Sequence, residues 1–339
     1  PSVVNFFTQT PGLRDLAKAM ATVAPQRRIP VFAPQTFRAW FTARPPRNVG
    51  KPEVILWPDT WNNNFHPTTA QAAVEVLEDA GFHVTIPNVA LCCGRPLYDY
   101  GMLDLAKTML HEIIDALKSQ IEAGTCIVGL EPSCVSVFRD EMPNLLHGNE
   151  DAQRFKKQTF LLSEFLEKYA PHYQPPKLKR KVLAQAHCHQ RSVLDVSAEE
   201  KLLKNLGVDY SFPDAGCCGM TGAFGFESGE HYDVSMAVGE RSLLPAVRAA
   251  SADTVIVATG FSCREQISQT TNRQALHPAQ LVKMALDDRN SISSGEFPEY
   301  RYMRDLQAEG RRATARGLLV LAAGVGLGVV LARRLRKRG

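Results

Sequence analysis

Two stretches of this chain repeat one order of elements, and each copy carries the uncommon triplet Cys-Cys-Gly. In the first copy EVILW (53–57) reads as a buried strand. A helix over about 68–80, the short strand FHVTIP (82–87) and Cys92-Cys93-Gly94 follow it. A long helix over about 101–121, the strand TCIVGL (125–130) and Pro-Ser-Cys134 complete the unit. In the second copy KVLAQAH (181–187) is a strand ending at Cys188. A helix near 198–206, VDYSF (208–212), Cys217-Cys218-Gly219, a helix over about 229–249, TVIVATG (254–260) and Phe-Ser-Cys263 come next. Strands alternating with helices predict a parallel sheet with right-handed crossovers. Two copies of the same order predict an internal duplication. The expected fold is α/β: two duplicated Rossmann-like parallel-sheet units with cysteines at the carboxyl ends of the strands, plus a C-terminal apolar helix.

That placement gathers thiols that are far apart in sequence. Cys188, Cys217, Cys218 and Cys263 all follow predicted strands, as do Cys92, Cys93 and Cys134. In a parallel sheet these strand ends share one edge, where ligands bind. The glycine after each doublet permits positive φ and close backbone approach. The loop GCCGMTGAFG (216–225) can turn successive N–H groups toward an anionic, thiolate-ligated centre. Residues 1–25 hold no apolar core of secretory length, so a reducing compartment is expected. Cysteine clusters there read as metal or redox sites before disulfides. Three readings stand on this chemistry: iron–sulfur ligands, zinc ligands, or buried structural or redox thiols. Zinc sites favour paired cysteines two to four residues apart, and no CxxC is present; the doublets fit neither common ferredoxin spacing. The eighth cysteine, Cys126, opens a buried strand far from the ligand edge and reads as structural.

The 339 residues, 45% of them hydrophobic and 22% charged, suit two domains or one duplicated unit. Residues 1–50 are rich in Pro and Arg and read as an arm or linker with a helix near 12–21. Residues 51–177 and 178–287 hold the repeats, 288–310 a connector, and 311–339 a basic and apolar tail. The net charge of +4 misleads. Eight of the 39 Lys+Arg residues lie after residue 310 with no acid among them, leaving 31 against 35 Asp+Glu in the rest. A mildly acidic body excludes a nucleic-acid footprint across the folded surface. GLLVLAAGVGLGVVLA (317–332) is uncharged between Arg316 and Arg333. It falls slightly short of the roughly 20 residues a spanning helix needs. Its flanking arginines can snorkel, and Gly324-x-x-x-Gly328 is a small-residue packing motif. The expectation is a membrane helix on a cytoplasmic protein associated with the inner membrane; the alternative is a helix docked on further domains.

LWPDTWNNNFHP (56–67), LCCGRPLYDYGMLDLAK (91–107), GLEPSCVSVFRDE (129–141), TFLLSEFL (159–166), HCHQ (187–190), GCCGMTGAFGFE (216–227), GFSCREQI (260–267) and HPAQLV (277–282) are a specific motif set. It resembles the C-terminal part of FAD- and iron–sulfur-containing D-lactate or D-2-hydroxyacid dehydrogenases. The Cys-Cys-Gly repeats are also similar to the cysteine-rich domain of the glycolate oxidase iron–sulfur subunit, of lactate-utilisation proteins and of heterodisulfide reductase. The resemblance covers residues 1–287. It implies an electron relay with one or two 4Fe-4S clusters, FAD on a missing domain or partner, FAD-binding and ferredoxin-like domains or subunits as partners, and a quinone or membrane downstream. The chain itself has no G-x-G-x-x-G fingerprint and no C-x₂-C-x₂-C run. It begins with Pro, which suits the end of a fusion or a partner subunit, and alone it is not expected to oxidise lactate.

Departures from that pattern define the candidate ligands. The cysteine-rich domain of heterodisulfide reductase offers a first Cys, a doublet and a terminal CxxC in each repeat. Here the terminal pair is a single cysteine, Cys134 or Cys263, and Asp59 or Thr60 stands where Cys188 stands in the second half. The expected ligands are Cys188, Cys217, Cys218 and Cys263 for one cubane cluster. Cys92, Cys93 and Cys134 suit a second, with Asp59 or a substrate in the open position. His187, with His189, is a further candidate ligand or supporting donor. Arg95 and Arg191 are placed to offset cluster charge or bind a carboxylate, and Glu131 and Asp214 lie on site-facing loops. His277-Pro278 reads as a helix start and Asn62-Asn63-Asn64 as a turn or cap. Two competing functions are a zinc- or thiol-stabilised assembly scaffold without redox activity, and a disulfide-reductase site in the open first half.

Overall fold

The alternation of apolar runs and helical patterns resolves into two parallel sheets in the computed structural model, which describes residues 1–288, 297–304, 307–308 and 310–320. The first holds β1 (Glu53–Leu56), β2 (His83–Thr85), β3 (Cys126–Gly129) and β4 (Thr159–Leu161) in the order β2-β1-β3-β4. The second holds β5 (Lys181–Gln185), β6 (Asp209–Ser211) and β7 (Val255–Ala258) in the order β6-β5-β7. Every pair is parallel, so the fold is the expected α/β duplication. Register repeats it: Val54 pairs with Val84 and Cys126, as Val182 pairs with Tyr210 and Val255. β4 leaves little trace in the sequence because three residues show no period. In the second half its place is held by a single parallel bridge, Val257 to Leu276. There Leu276 N donates to Ile256 O and Ala258 N to Leu276 O, both at 2.8 Å.

Helices cover both faces of each sheet, which is why the strands read as continuous apolar runs rather than alternating ones. Val54 and Leu56 of β1 enter one core, whereas Ile55 and the following Trp57 enter another. The first of these cores is shared between the halves. It joins Val54 and Val128 to Val182 and Val257 through the helices Pro67–Asp79 and Pro278–Asp287, which pack on each other. Each of these two helices carries Pro at its first position after a histidine cap, His66 or His277.

Several elements differ from expectation in detail. The helix expected over 101–121 breaks at Leu117 into Leu103–Ala116 and Lys118–Glu122. The one expected over 229–249 breaks into Glu230–Glu240 and Leu243–Ala249. Asn62, Asn63 and Asn64 lie inside a short helix, Thr60–Asn64, rather than in a turn. The N-terminal arm holds the helices Ser2–Gln9, Leu13–Met20 and Phe37–Ala43, and it wraps both halves. Phe37 enters the shared core, Ala33 N bonds Asn64 O at 2.8 Å, and Arg27 reaches Gly225. The connector contains a buried anchor at Glu299, which accepts from Arg273 Nε at 2.7 Å. Among the described residues no helix is long and apolar enough to cross a membrane. Most of the apolar segment 317–332, from residue 321 onward, lies outside the described residues.

Candidate metal centre

Each cysteine group sits where a strand ends and a helix or glycine loop begins. After β5, His187 caps the helix Cys188–Ser192, its Nδ1 accepting from His189 N at 3.2 Å. After β7, Gly260 caps the helix Phe261–Thr270, which carries Cys263 in its first turn. A Cβ on Gly260 would lie 2.1 Å from His187 Cδ2, so the glycine lets the two caps touch. After β6 comes the loop with Cys217, Cys218 and Gly219. Gly219 has φ +88°, and a Cβ there would stand 2.2 Å from the Ser235 carbonyl oxygen. Its N–H donates to Cys217 Sγ at 3.3 Å. Gly219→Ala is therefore expected to cost about 1–3 kcal/mol and to lower the metal content of the second half. A melting curve with wild-type midpoint would sink this.

The four second-half thiols form a connected chain. Cys217 lies within hydrogen-bonding reach of Cys188 and Cys218, and Cys218 within reach of Cys263. Donation from Cys188 and Cys218 pulls Cys217 down to about 2, while the same contacts with Cys217 push Cys188 and Cys218 upward. A cation among the sulfurs would favour their thiolate forms. This donor set fits a tetrathiolate-held metal or cluster. His187 and His189 stand beside it, and ligand atoms of His187, Cys188 and His189 lie within 4.8 Å of one another. Burial keeps both imidazoles neutral, the ligating form, with His189 pushed down to about 4. The Nδ1 of His189 is buried without a partner.

The first half repeats the plan with one thiol fewer. Cys93 Sγ lies 3.0 Å from Cys134 Sγ, and Cys92 is within reach of Cys93. Contact with Cys93 pulls Cys134 down, but burial, Asp59 and Glu131 outweigh it and leave Cys134 pushed up to about 11. The two halves match cap for cap. Asp59 caps Thr60–Asn64 as His187 caps Cys188–Ser192, so Thr60 occupies the place of Cys188, with its hydroxyl 3.9 Å from Cys92 Sγ. Asp59 spends its carboxylate locally: Oδ1 accepts from Trp61 N at 3.0 Å and Asn62 N at 2.9 Å, and Oδ2 from Asn62 Nδ2 at 2.7 Å.

Burial, then the neighbouring Glu131, pushes Asp59 up to about 6 from 3.8. A raised acid holds a proton in the fold that the unfolded chain releases, so the penalty is absent below the unfolded value and complete above the folded one. Asp59→Asn is accordingly expected to gain about 3 kcal/mol relative to wild type between pH 4 and pH 8. Melting temperatures across that range test it; a pH-independent difference would rule it out.

A buried polar layer joins the halves. Glu131 caps the helix Pro132–Ser136 and accepts from Phe261 N at 2.7 Å. Arg264 donates to Thr259 O at 2.8 Å and Asn62 Oδ1 at 3.1 Å, and His277 Nε2 meets Leu130 O at 3.0 Å. Trp61 stacks on Phe261 at 4.2 Å. Arg264 and Trp61 lie inside the motifs GFSCREQI and LWPDTWNNNFHP, but nothing in their spacing signals a partner in the other half. Arg95 forms ion pairs with Glu141 and Asp99, and Arg191 and Asp214 are exposed. Cys126 lies at the opposite end of β3 from Cys134.

Residues 60–139 and 184–268 each match the family described as cysteine-rich domain, CCG. The chain is similar to one subunit of the anaerobic glycerol-3-phosphate dehydrogenase of Escherichia coli, with 26% identity over 84% of this chain and 72% of that protein. It is similar to lactate utilization protein A of Bacillus velezensis, with 31% identity over 47% of this chain and 69% of the relative. The D-2-hydroxyglutarate dehydrogenase of Pseudomonas putida is 27% identical over 68% of this chain, which spans only 22% of that protein.

Proposed function

The chain belongs to the cysteine-rich domain family, and on that premise we propose that it is the iron–sulfur electron-transfer module of a flavin-dependent D-lactate or 2-hydroxyacid (glycolate-like) dehydrogenase. The observation that carries this is the connected chain of Cys188, Cys217, Cys218 and Cys263 at the ends of β5, β6 and β7. These four would hold one 4Fe-4S cluster, and Cys92, Cys93 and Cys134 would hold a second with one position open. Such a cluster supplies one-electron uptake and release. The chain's own residues fix the sulfurs and bury two of the four. Cys218 and Cys263 are buried, and Gly219 N–H steadies Cys217.

The relatives named as dehydrogenases support the oxidoreductase setting. FAD-binding and ferredoxin-like subunits would supply electrons, and a quinone at the inner membrane would accept them. A zinc-held assembly scaffold is the second reading, favoured by the mixed His187, Cys188 and His189 group. Anaerobic iron and zinc analysis with EPR of the dithionite-reduced protein separates the two. About four irons per chain mean one cubane cluster and about eight mean two. Stoichiometric zinc with a silent spectrum would replace the relay by the scaffold.

A further inference from the structure

Arg27 belongs to the N-terminal arm yet is 1% exposed, beneath the second cysteine doublet. Its Nε donates to Gly225 O at 2.6 Å and its Nη2 to Ser235 Oγ at 2.9 Å. The guanidinium lies over the Tyr232 ring at 5.0 Å and the Phe226 ring at 6.0 Å. Its Nη1 is buried without a hydrogen-bond partner, and among the described residues no carboxylate forms an ion pair with it. A buried cation held without a direct ion pair is costly. Something anionic at this place would relieve it.

The groups Arg27 touches are those that shape the cysteine loop. Ser235, held through its hydroxyl by Arg27, presents its carbonyl to Gly219 at a distance no Cβ could share. Gly225, whose carbonyl Arg27 holds, donates its N–H to Met220 O at 2.8 Å. Arg27 thus reaches both neighbours of the Cys217-Cys218-Gly219-Met220 segment. Burial pulls the Arg27 guanidinium down, and the neighbouring Tyr232, Cys218 and Glu265, in that order, partly offset it. Of these only Cys218 is a candidate metal ligand.

We infer that Arg27 is a fixed cation of the second-half thiolate site, a positioning and potential-setting residue delivered by the N-terminal arm. The inference rests on the iron–sulfur reading above. A tetrathiolate-held cluster is anionic and becomes more so on gaining an electron, so a nearby buried cation favours the reduced state and raises the reduction potential. Arg95, after the first-half doublet, is taken up by Glu141 and Asp99, and the other buried arginine near the thiols, Arg264, lies between the halves and donates to Asn62 Oδ1 at 3.1 Å. The arm thereby adds a cation beside the second-half loop.

The test is an EPR-monitored redox titration of the full chain with Arg27→Gln and Arg27→Lys, alongside iron analysis. Arg27→Gln is expected to keep its iron but to favour reduction about tenfold less, a fall of about 59 mV for one electron. Arg27→Lys should stay close to wild type. An unchanged midpoint in Arg27→Gln overturns the inference, as does a fall in Arg27→Lys as large as that in Arg27→Gln. If Arg27→Gln loses its iron, iron at the wild-type potential in Arg27→Lys supports the charge, and loss there too overturns it. Wild-type protein without iron fails the electron-transfer reading itself, and this role with it, before any variant is compared.

Discussion

The Cys217→Ser chain, purified anaerobically, is expected to carry about four fewer irons than wild type and to lose the EPR signal of the second-half cluster. Cys217 links Cys188 to Cys218, and those contacts pull its thiol down. Serine keeps the size but removes the soft thiolate that iron prefers. The change also removes the sulfur that receives the Gly219 N–H. Cys126→Ser is the matched control, because Cys126 sits at the far end of β3 and is expected to leave iron unchanged. Full iron content in Cys217→Ser would displace the second-half cluster from these ligands.

Glu299→Ala should produce the largest loss of stability, about 3–5 kcal/mol. Glu299 is 0% exposed and its carboxylate pairs with Arg273, itself 2% exposed. Arg273 also donates to Ser251 O at 3.2 Å and to Thr254 O, so it closes the turn that feeds β7. Removing the carboxylate leaves a buried guanidinium without its counter-charge, which costs more than the pair contributes when intact. Glu299→Gln keeps one acceptor and should lose about half as much. Urea denaturation measures both. A change below about 1 kcal/mol for Glu299→Ala would mean that Arg273 is satisfied by carbonyls alone.

The fold was legible where one period ran long enough. The apolar runs at 53–57 and 254–260 and the helix Ser197–Leu206 fall close to their expected places, because burial on both faces leaves strands uniformly apolar. β4 was not legible, since Thr159–Leu161 is too short for any pattern. The gathering of cysteines at strand ends follows from parallel-sheet topology and was readable without coordinates. The cross-half layer was not. Glu131 reads in the sequence as a loop acid, but its bond to Phe261 N depends on how two domains of one chain face each other. Arg27 lies in a stretch that reads as linker because Pro and Arg break every period, and only packing shows that it is buried. Asp59 stands out as a departure from the pattern; that it aligns with His187, leaving Thr60 opposite Cys188, is a fact of helix capping.

The cap-for-cap match has a consequence for how such a protein changes over generations. Two identical subunits related by symmetry must receive every substitution twice, once in each copy. Here the copies are one chain, and Thr60 differs from Cys188 without disturbing it. The shared core of Val54, Val128, Val182 and Val257 joins the two halves away from the thiols. Each edge is thereby free to specialise: one can keep four thiols while the other trades a sulfur for a hydroxyl. Duplication followed by fusion turns a symmetric pair into two separately adjustable sites.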